Sequence, residues 1–152
     1  KPVGRAMYQV KTIDEIDIGN RASISKTVTE ADGALYIAST GDFGPVHIDD
    51  GYAAGTRFEK RLAPGIMVAG ICTSILTSHL VGVLGVSIED RFWFTGPVFY
   101  GDTITAEVWI AEKNPADRTV IWEASARNQD GLEVLKAWAT LKFPRPRPPK
   151  VT

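Results

Sequence analysis

An aspartate and a histidine stand five residues apart in the segment Gly41-Asp42-Phe43-Gly44-Pro45-Val46-His47-Ile48-Asp49. Both side chains exchange protons, and imidazole does so near neutral pH, so the pair suits general acid–base chemistry. The glycines and the proline restrain the segment, which reads as a loop, and loops held by a rigid scaffold commonly carry chemistry. On the residues alone a second account stands beside this one: Asp42 caps a turn and His47 sits at the base of a helix. Another feature is Ala63-Pro64-Gly65, where a long apolar run begins. The first N–H groups of a helix have no partner inside it and lie at its positive end. A glycine there lets a ligand approach the backbone closely, which suits an oxyanion developing on a carbonyl. Pro-Gly also starts helices with no further role.

The elements that must hold these residues follow from pattern. Residues 22–29 are rich in β-branched side chains and predict a strand. Thr29 followed by Glu30 and Asp32 predicts a helix start, and the helix over 30–39 ends at Gly41. Residues 41–51 read as loop and 52–60 as weakly helical. Pro64-Gly65 then opens one long apolar helix, with no Asp, Glu, Lys or Arg from Gly65 to Gly85. Residues 88–95, 102–112, 118–127 and 133–143 are strand-like; Ile104, Ala106, Val108 and Ile110 alternate with polar or mixed neighbours. Asn114-Pro115 and Asp130-Gly131 mark turns between strands. The fold class expected is α+β: a long central apolar helix wrapped by a curved antiparallel β-sheet. Residues 1–143 form one domain, with 1–19 lying on the surface, and the Pro-rich tail 144–152 is expected to be extended or disordered.

Composition narrows the function classes. The 152 residues carry 17 Lys plus Arg against 18 Asp plus Glu, a formal charge of −1, so neither nucleic acid nor an anionic membrane is expected as a partner. The uncharged run is long enough to span a bilayer. Its glycines and hydroxyls, and the lack of basic flanks or an aromatic belt, favour a buried helix of a soluble protein instead. Cys72 stands alone in that run and reads as a small core residue without metal-ligand spacing. With no signal peptide in sight, a reducing, cytoplasmic location is expected. His79 reads as a core or interface residue, and Asp49 and Asp50 as solvated or capping groups. Trp93, Trp109, Trp122 and Trp138 read as strand packing, with Trp109 and Trp138 on the more polar faces, where they could cover a dimer surface.

The ordered motifs resemble a known family. The loop G-D-F-G-P-V-H-I-D, then Ala53-Ala54 and Phe58, Pro64-Gly65-Ile66-Met67, Arg91-Phe92 with Phe94, Pro97-Val98, Gly101-Asp102 and Asn128-Gln129-Asp130-Gly131 are similar to the MaoC-like dehydratases, or (R)-specific enoyl-CoA hydratases. The resemblance runs from about Ser23 to Phe143 and implies the hot-dog fold. It implies hydration of a trans-2-enoyl thioester to an (R)-3-hydroxyacyl thioester, with the CoA thioester as substrate and neither cofactor nor metal. Asp42 and His47 would deprotonate water and return a proton to the α-carbon. The Gly65 N–H would bind the thioester oxygen. Gly44 and Pro45 belong to the catalytic loop, and Thr73 or Ser74 falls where the family places a site-ordering hydroxyl. The resemblance also implies a homodimer, or a larger homo-oligomer, with sheets joined edge to edge. Two residues depart from the family pattern: Gly44 stands for its loop Asn, and Pro64 for its His before the helix glycine. A hot-dog thioesterase and a non-catalytic acyl-CoA-binding domain are the competing readings. The lack of an acid on the central helix argues against the first and against the carrier-protein dehydratases that use a Glu there.

Overall fold

A computed structural model describes residues 10–145. The strands are β1 (Arg21–Thr27), β2 (Val86–Phe94), β3 (Thr103–Asn114), β4 (Thr119–Arg127) and β5 (Glu133–Lys142). They form one antiparallel sheet in the order β1-β3-β4-β5-β2. The helices are α1 (Glu30–Thr40), α2 (Pro45–Ile48), α3 (Asp50–Ala54) and α4 (Gly65–Ile75). This is the expected α+β hot-dog architecture. The tail from Pro146 onward and residues 1–9 lie outside the described residues.

Alternation explains the sheet. Ile104, Ala106, Val108 and Ile110 of β3, Val120, Trp122, Ala124 and Ala126 of β4, and Leu135, Ala137, Ala139 and Leu141 of β5 are all buried on one face. Their neighbours in sequence are exposed or half-buried, except Val134 beside Leu135, which is buried as well. Alanine recurs on the inner face, which leaves room for a helix to lie close to the strands. The helix that fills it is α4, whose Val68, Ala69, Ile71, Cys72 and Ile75 are buried, and which packs on β1, β3 and β5. It is apolar on most sides because it is enclosed on most sides. Ile13 and Ile16 also enter the core, so the segment before β1 is anchored and does not only lie on the surface as expected.

Four more expectations are corrected. The apolar run is not one helix to Gly85. After Ile75 it widens into a π-helical turn, Leu76–Leu80, where Val81 N–H donates to Leu76 O at 2.7 Å, and Gly82 at φ 76° ends it. The segment 41–51, read as loop, contains α2 and the start of α3, because Pro45 supplies a ready first turn and the Asp49 carboxylate accepts from Tyr52 N–H at 2.9 Å. Residues 55–60, expected to be weakly helical, are turns. His79 is exposed and is no core residue.

Other expectations hold. Thr29 caps α1 in a reciprocal box with Asp32, and Gly41, at φ 75°, ends it. Trp109 and Trp138 lie on the outer sheet face, in one cross-strand row with Glu123 between them, while Trp122 is fully buried. Among the described residues no helix is long and apolar enough to cross a membrane.

Candidate active site

The site is assembled around α2. Gly41 stops α1 in the left-handed conformation and turns the chain, so that Asp42 leads into Gly44-Pro45 and His47 lies on the single turn of α2. His47 Nδ1 is 2.8 Å from the Leu62 carbonyl oxygen. A carbonyl only accepts, so Nδ1 carries the proton and donates it, and Nε2 is left with its lone pair. That Nε2 lies 4.0 Å from Asp42 Oδ2. The gap is too long for a direct hydrogen bond and places both groups around a space one polar atom can occupy. The His47 side chain is 16% exposed and that of Asp42 is 45% exposed, so the aspartate is the wetter partner.

Gly44 lies between them. A Cβ there would stand 3.3 Å from His47 Cδ2 and 3.4 Å from Asp42 Oδ1, so any side chain would crowd the pair. Pro45 occupies the first position of α2.

The loop is held from behind by residues that motif reading gave no role. Tyr100 Oη donates to the His47 carbonyl oxygen at 3.3 Å. Burial pushes the Tyr100 phenol upward from its ordinary pKa, keeping it a neutral donor. Its ring lies against Gly33 of α1, where a Cβ would come within 2.4 Å of Oη. The turn that presents Tyr100 is fixed by Asp102, whose carboxylate accepts Phe99 N–H and Gln129 Nε2–H, both at 2.9 Å. Gly101, at φ 97°, closes that turn. The Gly101-Asp102 motif is thus a support for the catalytic loop. Arg61 ties the same region together: it donates to Asp50 at 2.6 Å and to Glu30, and its guanidinium lies 5.4 Å from the Tyr100 ring centroid. The isolated Gly33 in a helical pattern was the one available sign of this packing. The long-range pairing of Arg61 with Glu30 left no sign in the sequence.

His47 opens onto a cavity of about 460 Å³ whose wall includes Gly65, Phe58, Ile66, Phe94 and Val134. Gly65 is the first residue of α4, with Pro64 as its N-cap. Its position is crowded: a Cβ on Gly65 would lie 2.9 Å from Phe94 Cε1. His47 and Gly65 are therefore placed on one cavity at the start of α4, with Asp42 and Gly44 beside His47. Thr73 and Ser74 are not. They stand eight and nine residues further along, about 12 Å away by helical rise. Their hydroxyls donate to the Gly70 and Ile71 carbonyls at 3.0 and 2.8 Å. They line two other cavities, of about 200 and 310 Å³, because consecutive helical residues point about 100° apart. Among the described residues no group of three or more His, Cys, Asp or Glu side chains is arranged to hold a metal ion.

Comparison with known proteins agrees with this fold and with the family resemblance. Residues 13–130 match the family described as MaoC like domain. The chain is 30% identical over 131 residues to an (R)-specific enoyl-CoA hydratase of Rhodospirillum rubrum, covering 86% of this chain and 90% of that protein. It is 29% identical over 129 residues to an (R)-specific enoyl-CoA hydratase of Aeromonas caviae, covering 85% and 96%. Among solved structures, the unliganded R-hydratase of Pseudomonas aeruginosa superimposes with a TM-score of 0.80 at 28% identity, covering 93% of this chain and 95% of that one.

Proposed function

This chain belongs to the MaoC-like domain family, and from that premise we propose that it is a hydro-lyase acting on enoyl-CoA, adding water across a trans-2-enoyl thioester to give an (R)-3-hydroxyacyl thioester. The observation that carries this reading is the 4.0 Å separation of His47 Nε2 and Asp42 Oδ2 at the end of α4 that begins with Gly65.

The chemistry is derived from those groups. A water held between the Asp42 carboxylate and the unprotonated His47 Nε2 loses a proton to this pair as its oxygen attacks the β-carbon. The C=C π electrons shift toward the thioester carbonyl, giving enolate character. The Gly65 N–H, at the positive end of an eleven-residue helix, donates to the thioester oxygen as that charge builds. The proton held by the pair is then delivered to the α-carbon, so atoms and charge balance without a cofactor. The acyl group occupies the cavity beside Phe58, Phe94 and Val134. Gly44 supplies no side chain to the water, so the positioning falls on Asp42 and His47. Thr73 and Ser74 have no part in this scheme, since their hydroxyls face the helix's own carbonyls.

The working unit is proposed to be a homodimer. β2 is an edge strand, and Val86, Ile88, Trp93 and Phe94 on it are exposed. Edge-to-edge pairing with a second copy covers them and satisfies the unpaired backbone groups.

Loss of the enoyl-thioester absorbance with crotonyl-CoA and a panel of longer and branched enoyl-CoAs tests the function, with Asp42→Asn and His47→Ala as controls. Turnover that disappears in both variants supports the reading. Undiminished turnover in both variants, or none in the wild type with any substrate, sinks it.

A further inference from the structure

Among the described residues that line the cavity receiving the acyl group, one carries a permanent positive charge. This is Arg57, which lines the same space as His47, Phe58, Gly65 and Phe94. The remaining wall is almost wholly apolar. Few polar groups line a ligand cavity, and those few usually decide what it accepts.

The state of Arg57 contrasts with that of Arg61, four residues later. Arg61 is committed to the scaffold through Asp50 and Glu30. Arg57 has no carboxylate within salt-bridge distance among the described residues. Its guanidinium lies 4.7 Å from the Phe58 ring centroid, so the planar group is seated on a cavity-lining aromatic. A guanidinium seated on one face keeps its edge donors free, and that edge matches the two oxygens of a carboxylate or phosphate. Among the described residues no hydrogen bond or ion pair uses those donors.

We propose that Arg57 binds an anionic group of the thioester substrate. The inference rests on the hydratase reading for the identity of the thioester. Two parts of such a substrate carry the required chemistry: a carboxylate at the far end of the acyl chain, and a phosphate of the carrier.

Saturated thioesters, which cannot be hydrated, separate these sources from each other and from catalysis. Dissociation constants are measured by titration calorimetry for butyryl-CoA, glutaryl-CoA, S-butyryl-N-acetylcysteamine and S-glutaryl-N-acetylcysteamine, with the wild type and Arg57→Gln. The exposed position of Arg57 makes a folded variant the expectation, checked by circular dichroism. Loss of one charge-assisted contact weakens binding about tenfold or more. If the carboxylate is the ligand, Arg57→Gln loses affinity for both glutaryl thioesters and keeps its affinity for the butyryl pair. If the phosphate is the ligand, it loses affinity for both CoA esters and keeps its affinity for the N-acetylcysteamine pair. Unchanged affinity for all four, an equal loss for all four, or failure of the wild type to bind any anionic member overturns the proposal. The hydratase reading fails separately, in the crotonyl-CoA assay.

Discussion

The imidazole of His47 donates through Nδ1 to the Leu62 carbonyl oxygen at 2.8 Å. That contact fixes which nitrogen is basic. Leu62 is itself tied back, since its N–H donates to the Val46 carbonyl at 3.0 Å. The ring is therefore clamped from a segment fifteen residues away, and its free Nε2 is aimed at the space it shares with Asp42. Asp42→Asn removes the carboxylate's charge and proton affinity while keeping its size. The expected loss in kcat is on the order of 10²-fold or more, with the melting temperature little changed, read from crotonyl-CoA turnover and thermal unfolding. His47→Ala also loses the clamp, so it is expected to lose at least as much rate and some stability.

The second prediction concerns Gly65. A Cβ at this position would stand 2.9 and 3.0 Å from Phe94 Cε1 and Cδ1. Gly65→Ala must push the Phe94 ring away or shift the start of α4, where the thioester oxygen is to be held. The expected cost is about tenfold or more in kcat/KM, since a misplaced donor loses much of its value in the transition state. If the ring is the obstacle, Gly65→Ala/Phe94→Ala recovers part of the loss relative to Gly65→Ala alone. A double variant whose losses simply add would place the effect in the backbone.

The third prediction joins the scaffold to the site. A Cβ at Gly33 would fall 2.4 to 2.7 Å from Tyr100 Oη, Cε1 and Cζ. These are ring atoms as well as the hydroxyl, so the whole side chain must move. Gly33→Ala is expected to destabilise by about 1–3 kcal/mol, the range for overpacking, despite the better helix propensity of alanine. Since Tyr100 also donates to the His47 carbonyl, turnover falls at temperatures where the variant is still folded. A denaturant midpoint and a rate at low temperature separate the two effects.

β3, β4 and β5 were legible because each shows period-two alternation with one buried face, and the hairpins because Asn114 and Gly131 supply specific turn chemistry. Asn114 Oδ1 accepts Asp117 N–H at 3.1 Å, and Gly131 adopts φ 79°. The reactive pair was legible as two residue types on a restrained segment, and motif order gave its chemistry. What stayed hidden depends on three dimensions. Composition does not distinguish an α-helical from a π-helical turn, so the break after Ile75 left no mark. A single short turn such as α2 is too brief for any periodicity. Thr73 and Ser74 sat at plausible spacing, and only the helix's geometry shows that they turn to their own carbonyls. Arg57 and Arg61 look alike in sequence and differ only in which carboxylates the fold brings near.

The fourth prediction is chemical. Cys72 is completely buried in the core, and desolvation pushes its thiol up to about 11. At pH 8 almost none of it is thiolate, and the sulfur has no exposed path to reagent. Ellman's reagent is expected to label the native protein only as fast as the protein opens, and the denatured protein at once. Rapid stoichiometric labelling under native conditions contradicts the packing described for α4.

The last prediction concerns acid. The Asp32 carboxylate accepts from Thr29 N–H at 2.9 Å and from Thr29 Oγ1 at 2.7 Å, and Lys26 Nζ donates to it at 3.0 Å. The Thr29 backbone bond is the largest cause, and together these hold the Asp32 pKa at about 2, below its ordinary 3.8. A depressed carboxylate pKa means the ionised form is favoured by folding. Its contribution is complete above the unfolded value near 4 and is lost as pH falls toward 2. Asp32→Asn keeps the shape and removes the charge. It is expected to lower stability by about 1 kcal/mol at pH 6, the usual worth of a helix cap. The difference from wild type should shrink steadily below pH 4, measured as paired denaturant midpoints. A gap that stays constant through that range would mean that the charge of Asp32 is not its source. α1, which leads directly into Asp42, would then be anchored chiefly by Gly33 against Tyr100.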